Sequence, residues 1–198
     1  MRLPTFALAL ALFTTTASVA TASVARAQDE VGPGREDPAP PRTRADVIAL
    51  LSGFESTPTL DAWRAMGPTT IPLLRATIDD ARTPGFVRLR AVHALGAFTT
   101  SEVRTTLRRL LRRSEGLVVR EAVLALTTAF GAASEPDVAP LLSHSDTAVR
   151  EAAIDALGRM GTAGARSRLQ AHLAQERDEV LRERVQERLR GGAGSSPG

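Results

Sequence analysis

Two independent series of apolar residues recur along this chain with one shared period, and that period constrains the fold more than any other feature. Leu60, Val92, Val123, Ile154 and Val185 follow one another at intervals of 32, 31, 31 and 31 residues. Trp63, Leu95, Leu126 and Leu157 trail the first four of them by three positions. Between these, Leu74, Leu107, Val138 and Leu169 recur at 33, 31 and 31, with Ile78, Leu111, Leu142 and Leu173 four positions further on. Spacings of three and four put side chains on one face of a helix, so each unit reads as two amphipathic helices. A helix pair of this size cannot bury its apolar face alone, so neighbouring units must stack and share one core.

The segments inside a unit agree with that reading. Val149, Ala153, Ile154, Ala156 and Leu157 make one wide helical face, and Val103, Leu107, Leu110 and Leu111 make another. Gly96, Gly116, Gly131 and Gly161 stand at or near the expected helix ends, Ser134 before Glu135-Pro136 reads as a cap and first turn, and Asp146 as a second cap. No alternating run bounded by turns suggests a strand. Aromatic residues make up only 4% of the chain, so the core must come from Leu, Val, Ile and Ala, which suits close helix packing. The expected fold is all-α: an α-solenoid, a right-handed superhelix of about ten helices between Arg44 and Arg190, with no sheet. The final helix, from Glu179, carries a narrow stripe of Leu181, Val185 and Leu189 among charges, and Arg188 stands where earlier units have Leu. It reads as a polar terminal cap.

The segment Asp146-Thr-Ala-Val-Arg-Glu-Ala-Ala-Ile-Asp-Ala-Leu-Gly-Arg-Met-Gly161 resembles the short HEAT repeats of the phycobilisome-lyase type. Val87-Arg-Leu-Arg-Ala-Val-His-Ala-Leu-Gly96 and Val118-Val-Arg-Glu-Ala-Val-Leu-Ala-Leu126 are similar, and Ala65 to Leu74 resembles a degenerate earlier copy. The resemblance covers about residues 58–190. It implies a fold that serves scaffolds, inhibitors, lyases and metal enzymes alike. Deoxyhypusine hydroxylase, of this wider family, takes di-iron ligands from His-Glu pairs on its helices. Here His93, His144 and His172 are followed by Ala94, Ser145 and Leu173, so no such ligand pair carries over. No catalytic residue of the bilin lyases can be matched either.

The ends of the chain bear on location. Residues 1–27 have the layout of a secretory signal: Arg2, an apolar run from Phe6 to Phe13, and Ala25-Arg26-Ala27 as an A-x-A site before Gln28. The uncharged stretch from Leu3 to Ala25 is long enough to span a membrane, but its second half is Thr, Ser and Ala. Cleavage after Ala27 is therefore expected, giving a periplasmic or secreted bacterial protein with no stable membrane anchor. Residues 28–42 read as a Pro-, Gly- and charge-rich linker, 43–190 as the solenoid, and 191–198 as a disordered tail. With no cysteine, packing alone must hold the fold.

Composition and motifs exclude several functions. All 25 basic residues are Arg. Lys, Asn and Tyr are absent, a pattern that fits a GC-rich genome. Without Arg2 and Arg26 the chain holds 23 Arg against 22 acids, so a net near +1 offers little for nucleic acid. A P-loop needs Lys and is excluded, and the G-x-S-x-G at Gly194 to Gly198 lies in the tail with no strand before it. Three separated histidines do not make a metal site, so neither a metal nor another cofactor is expected. Of these, His93 is expected to face solvent, His144 to lie in a turn, and His172 to be packed and partly buried. The chain is thus expected not to be an enzyme. Its expected role is that of an exported scaffold or adaptor binding another protein through its concave surface, with a lyase-type or cofactor-binding HEAT-repeat enzyme as the alternative.

Two arginine patterns are candidates for contact. Arg88, Arg120, Arg150 and Arg182 recur near the start of successive first helices. They read either as a basic row for an anionic partner or, as favoured here, as structural ties between repeats that meet carboxylates such as Asp146 or Asp178, or helix-end carbonyls. Arg104, Arg108 and Arg112 lie four apart on one second helix, with Arg109 and Arg113 beside them, while residues 28–80 carry 5 Arg against 9 acids. This stripe reads either as a solvated face or as the contact site for a protein partner with an acidic patch.

Overall fold

The computed structural model describes residues 40–53 and 57–191. The expected signal segment, most of the linker and all but the first residue of the tail lie outside the described residues. Among those described, every regular element is helical: α1 (Arg44–Ser52), α2 (Leu60–Met66), α3 (Ile71–Asp79), α4 (Gly85–Leu95), α5 (Ser101–Leu110), α6 (Gly116–Phe130), α7 (Glu135–Val138), α8 (Thr147–Met160), α9 (Ala163–Leu173) and α10 (Glu179–Gly191), with short 3-10 turns between some of them. The all-α solenoid inferred from the period is the fold of the chain.

Local chemistry sets the helix starts. Thr43, Thr59, Thr100 and Thr162 each accept a hydrogen bond from a backbone N–H of the first turn, and Asp46 completes a capping box at α1. Asp146 caps α8, as its position predicts. Ser134 does not cap α7. It sits in a 3-10 turn that runs straight into the helix, and its hydroxyl donates back to the Gly131 carbonyl. Gly161 closes α8 in the left-handed region at φ 61°, which costs a glycine little. The second helix of the third unit holds only one α-turn before tightening into a 3-10 turn over Ala139–Ser143. Pro136 and Pro140 lie four apart there, and Pro140 has no N–H to return to the carbonyl four residues back.

The first helices α4, α6, α8 and α10 form one layer, each packed on the next. Second helices α3, α5 and α9, and the α7 segment with its 3-10 continuation, pack against the first helix of the following unit. Both apolar series converge on the core between the layers. Val92, Val123, Ile154, Val185, Leu74, Leu107, Val138 and Leu169 are buried, whereas Leu60 and Leu173 are only half-buried.

The first unit departs from two helices per unit. Arg44 at the start of α1 pairs with Asp80 beyond the end of α3, and α1 packs on α3 and α4. Midway along α4, Arg90 Nη1 donates to the carbonyls of Leu51 (2.7 Å) and Gly53 (3.0 Å) at the end of α1. Arg64 Nε on α2 donates to the Ala97 carbonyl just past the end of α4 (3.1 Å). Helix α1 thus flanks α4 and α2 meets its far end, so the two together take the place of a single first helix.

Because Leu157 is fully buried between units, Leu157→Ala should cost about 3 kcal/mol in urea unfolding. The exposed Leu117→Ala on α6 should change stability by about 0.5 kcal/mol or less in the same assay.

Candidate interaction surface

Helix α5 carries the arginine stripe, anchored by buried Val103, Leu107 and Leu110. The five arginines divide by direction. Arg104 and Arg108 reach the following unit, where both bind Asp137 on α7: Arg104 through Nε (3.1 Å) and Nη2 (2.9 Å), Arg108 through Nε (2.6 Å). Arg104 also donates to the Ala133 carbonyl (2.6 Å) and lies over the Phe130 ring, 5.4 Å from its centre. Arg109 and Arg113 turn to the preceding unit and share Asp79 on α3. Arg112 is exposed and has no carboxylate partner among the described residues.

Sequence reasoning grouped Arg104, Arg108 and Arg112 as one contact site, and the structure separates them. Arg104 is occupied by Asp137, a carbonyl and a ring. Arg108 is half-exposed beside the same carboxylate. Arg112 faces solvent. Between Arg108 and Arg112 on one side and the α7 segment on the other lies an open groove of about 380 Å³, floored by Leu111, Pro136, Pro140 and Leu141. Asp137 borders it with its charge already met by two guanidiniums.

The recurring row on the first helices is not uniform. Arg150 is an inter-repeat tie: its Nε lies 2.9 Å from Glu176 Oε2, and its Nη1 donates to the His144 carbonyl (3.0 Å). Arg182 donates to the Glu176 carbonyl (3.2 Å) and pairs with Glu179. Arg120 is exposed with no ion pair among the described residues, and Arg88 has a buried Nε without a partner. Asp146 and Asp178, expected to receive these arginines, instead accept backbone N–H groups at the starts of α8 and α10. A short side chain at the N-cap commits an oxygen to its own first turn; the other oxygen of Asp146 lies against Gly116 at the start of α6, where a Cβ would collide with it.

The carboxylate missed in the sequence is Glu176, which is only 6% exposed. Besides Arg150, it accepts from the N–H groups of Arg177 (2.9 Å) and Asp178 (3.0 Å), and His172 Nε2 lies 3.0 Å away. Burial pushes its pKa up, but Arg150 and the two backbone donors outweigh this and hold it at about 2. His172 is 8% exposed, in keeping with a packed histidine. His93 is half-exposed and bonds Glu121 (2.8 Å), which raises its pKa. His144 lies in a turn and accepts from the Asp146 N–H.

On the second helices, ion pairs cross from unit to unit: Arg75 with Glu102, Arg109 with Asp79, Arg104 with Asp137, and Arg168 with Glu135. Their separations of 27, 30, 33 and 33 residues lie near the repeat period, a signal visible in the sequence had opposite charges been sought at that spacing. Models of HEAT repeats match residues 36–127 and 120–190. The chain belongs to the HEAT-repeat family. That match does not extend to the phycobilisome-lyase subtype. No curated protein matches this HEAT-repeat protein. Among solved structures it is similar to human deoxyhypusine hydroxylase in complex with glycerol, at 27% identity and a TM-score of 0.53, over 62% of this chain. The likeness spans 43% of that chain, less than half its length. Among the described residues no group of three or more His, Asp and Glu is placed to hold a metal ion.

Glu176 makes acid stability testable. Its folded-state pKa lies below the ordinary 4.5, so its contribution is present above pH 4.5 and is lost as pH falls towards 2. Glu176→Gln should lower the thermal midpoint at pH 7, and the gap to the wild type should narrow steadily between pH 4.5 and pH 2.

Proposed function

We propose that this HEAT-repeat protein is an exported scaffold that binds a protein partner through its second-helix face, taken to be the concave side, at the groove beside Arg112. One observation carries the reading. Arg112 is the guanidinium of the stripe left without a carboxylate among the described residues, and it stands at the rim of a groove floored by leucine and proline. An acidic partner segment would find there an apolar floor and a donor fork not already engaged. The surrounding ion pairs fix the groove walls before binding, so little ordering is required. Arg104 contributes by positioning Asp137 and the α7 segment rather than by contact. Export is supported by Arg2, the apolar run that follows it and the A-x-A site ending at Ala27.

The likeness to a hydroxylase favours a second reading, a HEAT-repeat enzyme. Against it stand the absence of any His-Glu step in the sequence and the partial coverage of that chain. Metal analysis of purified protein separates the two, since stoichiometric bound metal would favour the enzyme.

Arg112→Glu should reduce crosslinked capture of the partner in intact cells at least tenfold while leaving the thermal midpoint unchanged. Capture at wild-type level would remove the groove from the account. Mass spectrometry of the mature protein should give Gln28 as the first residue, and an intact Met1 would remove the export reading.

A further inference from the structure

We propose that the seam between α6 and α8, on the first-helix layer, is a second docking site, and that its occupant is an acidic amphipathic helix of a partner protein. Neighbouring seams on this layer are bridged by side chains. His93 and Glu121 join α4 to α6 (2.8 Å), and Arg184 and Arg188 join α10 to Glu151 (2.7 Å) and Asp155 (3.1 Å) on α8. Between α6 and α8, no side-chain hydrogen bond or ion pair crosses among the described residues. Where α4 has His93 and α8 has Asp155, α6 has Leu124 at the same repeat position, 39% exposed. Two turns before it stands Leu117, 61% exposed. The unit that could close the seam carries leucines instead.

Those leucines line a groove. One depression of about 370 Å³ lies against Leu89, Leu117, Leu124 and Ala152. A second of about 370 Å³ lies against Leu124, Thr127, Ala156 and Met160. Both are bordered by Leu124 and Arg159, so they form one groove along the seam. Helix α6 has 15 residues, and at the α-helical rise the groove is about 20 Å long, room for roughly four turns of a bound helix. Ala152, which borders the same depression as Leu117 and Leu124, leaves space for an apolar ridge between them.

Charge selects the partner. The acids at the groove are already bonded: Glu121 to His93, Glu151 to Arg184, and Asp155 to Arg184 and Arg188. Arg120 and Arg159 are exposed at its rim and have no carboxylate partner among the described residues. The field left over an apolar floor is positive, so the complementary helix carries a leucine ridge flanked by Asp or Glu.

The test uses a fluorescein-labelled 14-residue helical peptide with Leu at positions three and four apart and Glu elsewhere, and its counterpart with Lys for Glu. Fluorescence anisotropy should show saturable binding of the Glu peptide and at least tenfold weaker binding of the Lys peptide. Leu124→Asp, and separately Arg120→Glu with Arg159→Glu, should each weaken the Glu peptide at least tenfold with unchanged circular dichroism. Arg112→Glu should leave it unaffected, which keeps this site distinct from the second-helix groove. Absent binding, equal binding of the Lys peptide, or binding that survives both seam variants would overturn the proposal. Self-association in sedimentation equilibrium that Leu124→Asp abolishes would also overturn it, since a second copy would then cover the seam.

Discussion

The structure depends on apolar surface that no single unit can bury by itself. A helix of this lattice meets the core through two to five side chains, and their enclosure is completed only by the helices of the next unit. Val123 and Leu126 on α6 are buried because α4 and α8 flank them, and Val185 on α10 because α8 does. The cysteine-free chain has no covalent constraint, so this shared burial must carry its stability. The ion pairs between second helices add alignment more than energy, since most are half-exposed.

That dependence also explains how the lattice ends. At α10, Arg188 occupies the position of Leu95, Leu126 and Leu157, and its guanidinium turns outward to Asp155 on α8. Gly158 on α8 lies directly under the Arg188 stem, where a Cβ would collide with it. An arginine can cover the last apolar layer with its methylenes and still place its charge in water. At the opposite end the first-helix position is filled by two shorter pieces, α1 and α2. The carbonyls at the end of α1 are met by Arg90 rather than by a continuing helix.

The fold was legible in the sequence because burial imposes a period, and a period survives substitution among Val, Leu and Ile. The divided first helix was not. Trp63 and Leu60 keep the register of the first-helix series, while α1, which completes the same position, has no counterpart at that spacing. The stripe on α5 was visible as a cluster, but its partition was not, because the charges that occupy Arg104, Arg108, Arg109 and Arg113 sit a full unit away at Asp137 and Asp79. Asp146 caps α8 as expected, but neither it nor Asp178 pairs with an arginine, for a local reason: at a helix start, a backbone N–H competes for the carboxylate and lies closer than any arginine. Glu176 was passed over because nothing in its sequence neighbourhood marks a glutamate that folding encloses between α9 and α10.

Mutual enclosure makes a direct statement about how disturbance spreads. In native-state hydrogen exchange on the full chain, Leu126→Ala should lower the protection of amides in α4, α6 and α8 together, by comparable free energies. Loss of protection confined to α6, with α4 and α8 exchanging as in the unaltered protein, would contradict a core shared between units.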